Sequence, residues 1–447
     1  MRSSAPAARA SVVLLAALLV AAAVLAGCSG GDPAPDADGA RPSLPGPSSP
    51  SPSSPSSPGP SSPSSPGPSS PSSPGPSWSS GGPAPGAVVT WATGLQPVRA
   101  DLDGRTVRDV VRTSAGGEAL QVSLSNLLGE RPVVLRASVG LHAGGGALEP
   151  GSVRPLTVAG ARDVVVGPGE EVLSDPVPGP WAPQLELAVS VHVDGDPGTV
   201  SGHVLATATS YLSDPGDSTL DEGSAAFPTA VTSWSVVDAV LVTGVRDGST
   251  VVALGDSLTD GDGSTPGEDR RYPDALARRL LADPGRAGTG VANLGVSGDQ
   301  LLVPGAGAGV LARLDRDVLG LPGLETVVLL AGTNDLLRGA AADDVVAGLE
   351  RAVERAHAAG VCVVAATVPP FAQAGPAFAE GRRTVNDWVR GSGVADAVLD
   401  ADAALRDPAD PDRLLPEHDS GDGLHPGDAG YAALAAAVDL DDLDCDR

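Results

Sequence analysis

The stretch "SSPSSPGPSSPSSPGPSSPSSPGP", residues 53–76, constrains this chain most, because it cannot fold. One unit, Ser-Ser-Pro-Ser-Ser-Pro-Gly-Pro, recurs in tandem at 53–60, 61–68 and 69–76. Proline removes backbone donors, and serine offers nothing apolar to bury. The surrounding residues 29–86 share this composition and read as a disordered, semi-extended spacer. At about 3.1 Å per residue it reaches on the order of 150 Å. Packed cores must therefore be sought from residue 87 onward, a length that suits two domains.

Residues 1–28 read as an export signal. Arg2 and Arg9 form a basic start, and "SVVLLAALLVAAAV" (11–24) is the apolar run. That run falls short of the roughly 20 residues that span a bilayer. "LAGC" (25–28) follows and resembles the lipobox of bacterial lipoproteins. The resemblance implies cleavage before Cys28 and a lipid on its sulfur. The expected location is then the outer side of a bacterial cell membrane, with the membrane as a partner through Cys28. The bland alternative is an ordinary secretory signal. The net charge of −27 disfavours nucleic acid as a partner, and 2% aromatic residues leave little for base stacking. Cys362 lies in an apolar strand, "VCVVAATV", where it either packs as a core thiol or bridges to Cys445.

Two rhythms follow the spacer. From 87 to 245 short runs such as "ALQVSLSN" (119–126) and "QLELAVSVHV" (184–193) alternate with Gly, Pro and Asp clusters. That pattern predicts an all-β sandwich. His142, His192 and His203 are scattered through it and read as surface or satisfied residues. From 246 to 447 strands alternate with helices: "TVVALGDS", "YPDALARRLLAD" (272–283), "GVANLGVSG" (290–298), "ETVVLLAGTND" (325–335), and helices over 342–360 and 425–440. This predicts an α/β domain whose site lies at the carboxyl ends of parallel strands.

Gly-Asp-Ser occurs twice. The copy at 216–218 is flanked by Asp214, Pro215 and Asp221 and reads as a turn; the copy at 255–257 ends a buried-type strand. Ser257 is therefore the candidate nucleophile. It needs a base and an oxyanion site. His425 in "DGLHP" is the candidate base, and Asp422, three residues earlier, can hold its other ring nitrogen. His418 has no acid at that spacing, and His357 belongs to a charged helix. The N–H groups of Ser257 and Gly298 and the side chain of Asn334 are the candidate oxyanion donors. Asp256 reads as a structural acid that ties the turn. Metal-ligand spacing is absent, so no metal or cofactor is expected. Gly-x-Ser-x-Gly matches only at 27–31, inside the lipobox stretch.

"GDSLTDG", "NLGVSGD", "AGTNDLL" and "DGLHPGDAGY", in this order, resemble the four blocks of the GDSL/SGNH hydrolase superfamily. The family's Ser, Gly, Asn and His fall on Ser257, Gly298, Asn334 and His425, and its aspartate on Asp422. The resemblance implies an α/β three-layer sandwich with a mostly parallel, flavodoxin-like sheet. It implies a serine esterase using a Ser-His-Asp triad and no cofactor. The preceding β region is similar, on layout and "QVSLSN", to the accessory domain of xylan-esterase-type members. The expected substrate is a short acyl ester, acetyl first, on a polysaccharide, and the expected state is a monomer. The alternatives are a lipase acting on lipids and a non-catalytic glycan-binding lipoprotein.

Overall fold

A computed structural model describes residues 78–444 apart from residue 81. The export signal, Cys28, nearly all of the spacer, and Cys445 lie outside the described residues. The folded chain begins inside the stretch expected to be spacer. The Trp78 indole N–H donates to Ser123 Oγ at 3.0 Å, Ser79 N–H to the Glu171 carbonyl at 2.8 Å, and Ala84 N–H to Gln121 at 3.1 Å. One tryptophan is enough to anchor residues that composition alone assigns to a linker.

The β-rich region forms two main antiparallel sheets. One orders the strands Val88–Ala92, Val237–Thr243, Gly117–Ser125 and Val177–Trp181; the other centres on Thr106–Arg112, Glu186–Asp194 and Val133–Gly144. Alternate residues of both sheets, such as Val122 and Leu124 on one and Val189 and Val191 on the other, share one apolar cluster.

The second region has a parallel sheet in the order Gly290–Gly295, Thr250–Gly255, Leu324–Leu330, Cys362–Ala366, Ala397–Leu399. Its strands are buried on both faces, which is why they read as continuous Val, Leu and Ala runs. Val252 and Leu254 pack against the helices Ala342–Ala358 and Pro376–Gly391. Val251 and Ala253 point the other way, toward Tyr272–Ala282 and Asp428–Ala437. Strand order reverses at Thr250–Gly255, so the crevice beyond its carboxyl end is the topological switch point where such sheets bind ligands. Cys362 is disulfide-bonded, so it is not the free core thiol that its apolar strand suggested.

The regions share a core: Val89, Leu173 and Leu241 belong to the same cluster as Leu254, Leu294 and Leu329. Between them Glu171 is 4% exposed, beside Asp238 and Asp317. Burial and the neighbouring Asp238 push the Glu171 carboxyl up to about 11, so it is protonated at neutral pH. Its unfolded value is about 4.3. Its stabilising contribution is therefore complete below about pH 4.3 and declines as pH rises toward the folded value. Glu171→Gln keeps a neutral group there. It should raise Tm at about pH 8 and change it less at about pH 5, as read by circular dichroism. An equal shift at both pH values would contradict this.

Candidate active site

The strand Thr250–Gly255 runs into a short helix, Ser257–Asp260. Asp256 caps that helix: its Oδ1 accepts the Leu258 N–H at 3.1 Å. A glycine at 295 lets the helix sit close, since a Cβ there would lie 2.1 Å from the Asp260 nitrogen. Ser257 is thereby held at the first helical position. Its own N–H, like that of Gly298, meets no acceptor among the described residues. Such unclaimed donors at a helix start and a loop can bind an anion.

His425 Nε2 lies 2.9 Å from Ser257 Oγ, although the two are 168 residues apart. Its Nδ1 lies 2.6 Å from Asp422 Oδ2. Asp422 Oδ1 accepts the N–H groups of Leu424 and His425 at 2.9 and 2.8 Å. Burial pushes the Asp422 carboxyl up, but these bonds and the imidazole outweigh it and hold it below the usual carboxylate range. His418 does not join this group; its Nδ1 is buried without a partner. Ser218 lies in the β-rich region, where its N–H donates to Thr106 Oγ1 and Asp217 closes a turn onto Thr219.

Asn334 is the second residue of the helix Thr333–Leu337, beyond the third strand. Its amide donates to the Asp299 carbonyl at 2.9 Å and faces Asp256 Oδ2 at 3.4 Å. Burial pushes the Asp256 carboxyl up to about 7, with Asp299 and Asp335 adding to the rise. Gly298, at φ +78°, adopts a conformation that favours glycine. Asp299 is fully buried against Arg313, 2.9 Å away. The same guanidinium donates to the carbonyls of Gly255 and Leu294, tying together the strand ends that lead to Ser257 and Gly298.

Three further residues belong to the site and were not singled out from sequence. Asp262 Oδ2 lies 3.9 Å from His425 Nε2, on the serine side of the ring. Asp260 accepts Ser297 N–H and Oγ–H at 2.9 and 2.8 Å, immediately before Gly298. His203, from the β-rich region, lies 2.9 Å from Asp260 and is 1% exposed. Its Nδ1 faces the Gly94 carbonyl at 2.8 Å. Both ring nitrogens thus face acceptors, which only the doubly protonated imidazole satisfies. Burial lowers the His203 pKa, but Asp260 and the two carbonyls outweigh it and raise it overall. Asp260 was visible in "GDSLTDG"; nothing in the spacing of His203 announced it.

His203→Ala removes one partner of a buried pair and leaves Asp260 charged and unpaired. The expected loss is about 3–5 kcal/mol of stability. Asp260→Asn in the same chain should restore part of it. Denaturant unfolding of the single and double variants checks this; additive losses would refute the pairing.

Residues 253–433 match the GDSL-like Lipase/Acylhydrolase family. No curated protein sequence matches the chain. Among solved structures, a G-D-S-L-family protein from Desulfitobacterium hafniense DCB-2 is 21% identical, over 42% of this chain and 97% of that one, with a TM-score of 0.35. A carbohydrate acetylesterase from Sinorhizobium meliloti is 20% identical, over 42% and 95%, with a TM-score of 0.33. An acetyl xylan esterase from Geobacillus stearothermophilus is 22% identical, over 44% and 95%, with a TM-score of 0.34. The matched stretch, which runs from the strand before Ser257 to the helix after His425, is a GDSL-like lipase/acylhydrolase domain by that family model.

Proposed function

We propose that this chain is a serine esterase that removes short acyl groups, acetyl first among them, from a polysaccharide. The observation that carries the reading is the line Asp422–His425–Ser257, at 2.6 and 2.9 Å, beside two unclaimed N–H groups. Ser257 Oγ attacks the ester carbonyl while His425 Nε2 takes its proton. The oxyanion is held by the N–H groups of Ser257 and Gly298, and the Asn334 amide joins them by giving up its long 3.4 Å contact with Asp256 Oδ2. Each such donor is typically worth about 10²–10³ in rate. His425 then gives the proton to the leaving alcohol. Water enters, loses a proton to the same nitrogen and attacks the acyl carbon. Ser257 leaves with that proton, and the carboxylate product departs.

The surroundings favour a small acyl group and a neutral, hydroxylated alcohol. The loop over 303–306 beside Gly298 is exposed and offers one large apolar side chain, Val303. On the other side Asp262 presents a carboxylate to the leaving group. It can accept from a vicinal hydroxyl and repels anionic esters and the released carboxylate. Anchoring through lipidated Cys28, with the spacer carrying the domain outward, suits an extracellular polymer. Among the described residues no helix is long and apolar enough to cross a membrane.

The test is a series of aryl esters from acetate to laurate, set beside acetylated xylan and other acetylated glycans. Preference for the short esters, with acetate released from a glycan, supports the reading. Preference for the long chains, with no acetate released from any glycan, overturns it in favour of a lipase. Detergent-phase partition of the wild-type protein and of Cys28→Ala tests the anchor, and recovery of both in the aqueous phase rejects it.

A further inference from the structure

We infer that a cavity between the β-rich region and the loop after Ser257 is a binding subsite for one ring of a neutral sugar chain. The inference rests on the proposed function for the identity of its ligand, and on the cavity's own chemistry for its existence. The cavity measures about 190 Å³. That is below the roughly 300–1,000 Å³ of sites for drug-sized ligands, and so suits a single ring.

Its lining is unusual for this chain, which has only five Trp and three Tyr in all. Trp91, Trp234 and Tyr211 all line it. The two indoles meet edge to face at 5.0 Å and are nearly buried, forming a rigid apolar wall. Tyr211 is half-buried, with its ring 6.3 Å from His142. Among the described residues neither the Tyr211 hydroxyl nor the Trp91 indole N–H has a hydrogen-bond partner. Both are polar handles on apolar bodies, the combination that suits a ring with hydroxyls on its edge and C–H groups on its faces.

The charged groups of the lining balance. Arg112 bridges Glu186 at 2.8 Å and Asp269 at 2.5 Å, and Arg271 lies over the Trp234 ring at 5.8 Å. Arg271 is itself held by Asp274 at 2.7 Å, so both guanidinium groups are already paired with carboxylates and neither is left free for an anionic ligand. Paired in this way, the groups keep spare lone pairs and N–H positions for hydroxyls.

The cavity is joined to the nucleophile by one loop. Asp262 stands beside His425, and Gly267, five residues later, already lines the cavity. At no more than ~3.6 Å per residue the two positions are within about 18 Å. The loop is tied to the β-rich region through Gly267 N–H to the Thr207 carbonyl at 2.8 Å. Asp269 adopts φ +48°, a strained conformation for a residue with a Cβ. A sugar chain a few units long bound here would reach toward Ser257.

The experiment titrates the full chain with unacetylated xylohexaose, mannohexaose and cellohexaose, read by tryptophan emission and by calorimetry. A saturable signal with at least one of them is expected. Tyr211→Ala and Glu186→Gln should each weaken it about tenfold or more, ~1.4 kcal/mol, with thermal melts showing that both variants fold. No saturable binding to any of the three, or binding that neither folded variant weakens, overturns the subsite. Tighter binding of oligogalacturonate than of all three neutral chains also overturns it. Acetate release is measured separately on acetylated xylan and the other acetylated glycans. Binding without acetate release removes the esterase reading and leaves the subsite standing; acetate release without binding does the reverse.

Discussion

Ser257→Ala is expected to lower kcat on a short-chain aryl acetate by roughly 10⁴–10⁶-fold, while Ser218→Ala leaves it within about twofold. The contrast is the informative part, because both serines sit in the tripeptide Gly-Asp-Ser. Ser257 Oγ has an imidazole nitrogen 2.9 Å away and starts a helix whose N–H is unclaimed. Ser218 sits in a turn of the β-rich region, with its N–H on Thr106. Removing one hydroxyl from Ser257 leaves the Asp256 cap and its bond to Leu258 intact, so thermal unfolding should move little. The residual rate of the variant measures what the oxyanion donors contribute without the nucleophile. Loss of turnover in Ser218→Ala with retention in Ser257→Ala would reverse the assignment.

Asp422→Asn should cost up to about 10⁴ in kcat, and more than Asp422→Ala. The reason is the direction of the hydrogen bonds. Asp422 Oδ1 accepts two backbone N–H groups, from Leu424 and His425. An asparagine at 422 must turn its carbonyl oxygen to those donors. Its NH₂ then faces His425 Nδ1, which has to accept. The neutral ring is left with its hydrogen on Nε2, pointing at Ser257 Oγ, and the base is lost. Alanine removes the orienting group without imposing the wrong tautomer. Steady-state kinetics on the two variants decides this; an asparagine variant as active as wild type would rule out His425 as the base.

Much of this site was legible in the chain because its chemistry is local. Asp422 and His425 are three residues apart, so one tight loop brings them together whatever the rest does. Asp256 and Leu258 are two apart, and the N-cap follows from an acid placed before a short helix. Continuous Val and Leu runs ending in Gly-Asp-Ser and Gly-Thr-Asn-Asp marked parallel strands and the rim where they end. The seam between the two regions was not legible. His203 lies 57 residues from Asp260, and Arg112 lies 157 from Asp269. Nor was it legible that Trp78 anchors the end of the spacer.

The sequence by itself determined the succession of strands and helices from residue 87 onward and which residue types end the strands. Burial periodicity and turn chemistry act over a few residues, so they are written in order along the chain. The tertiary structure alone decided that His203 neutralises Asp260 beneath the Gly298 loop and that Arg313 clamps two strand ends. It also gathered two Trp and one Tyr around one cavity next to the nucleophile's loop. Such contacts depend on which strands become neighbours. The free energy of pairing one buried charge or ring with another has no signature in the spacing of either along the chain.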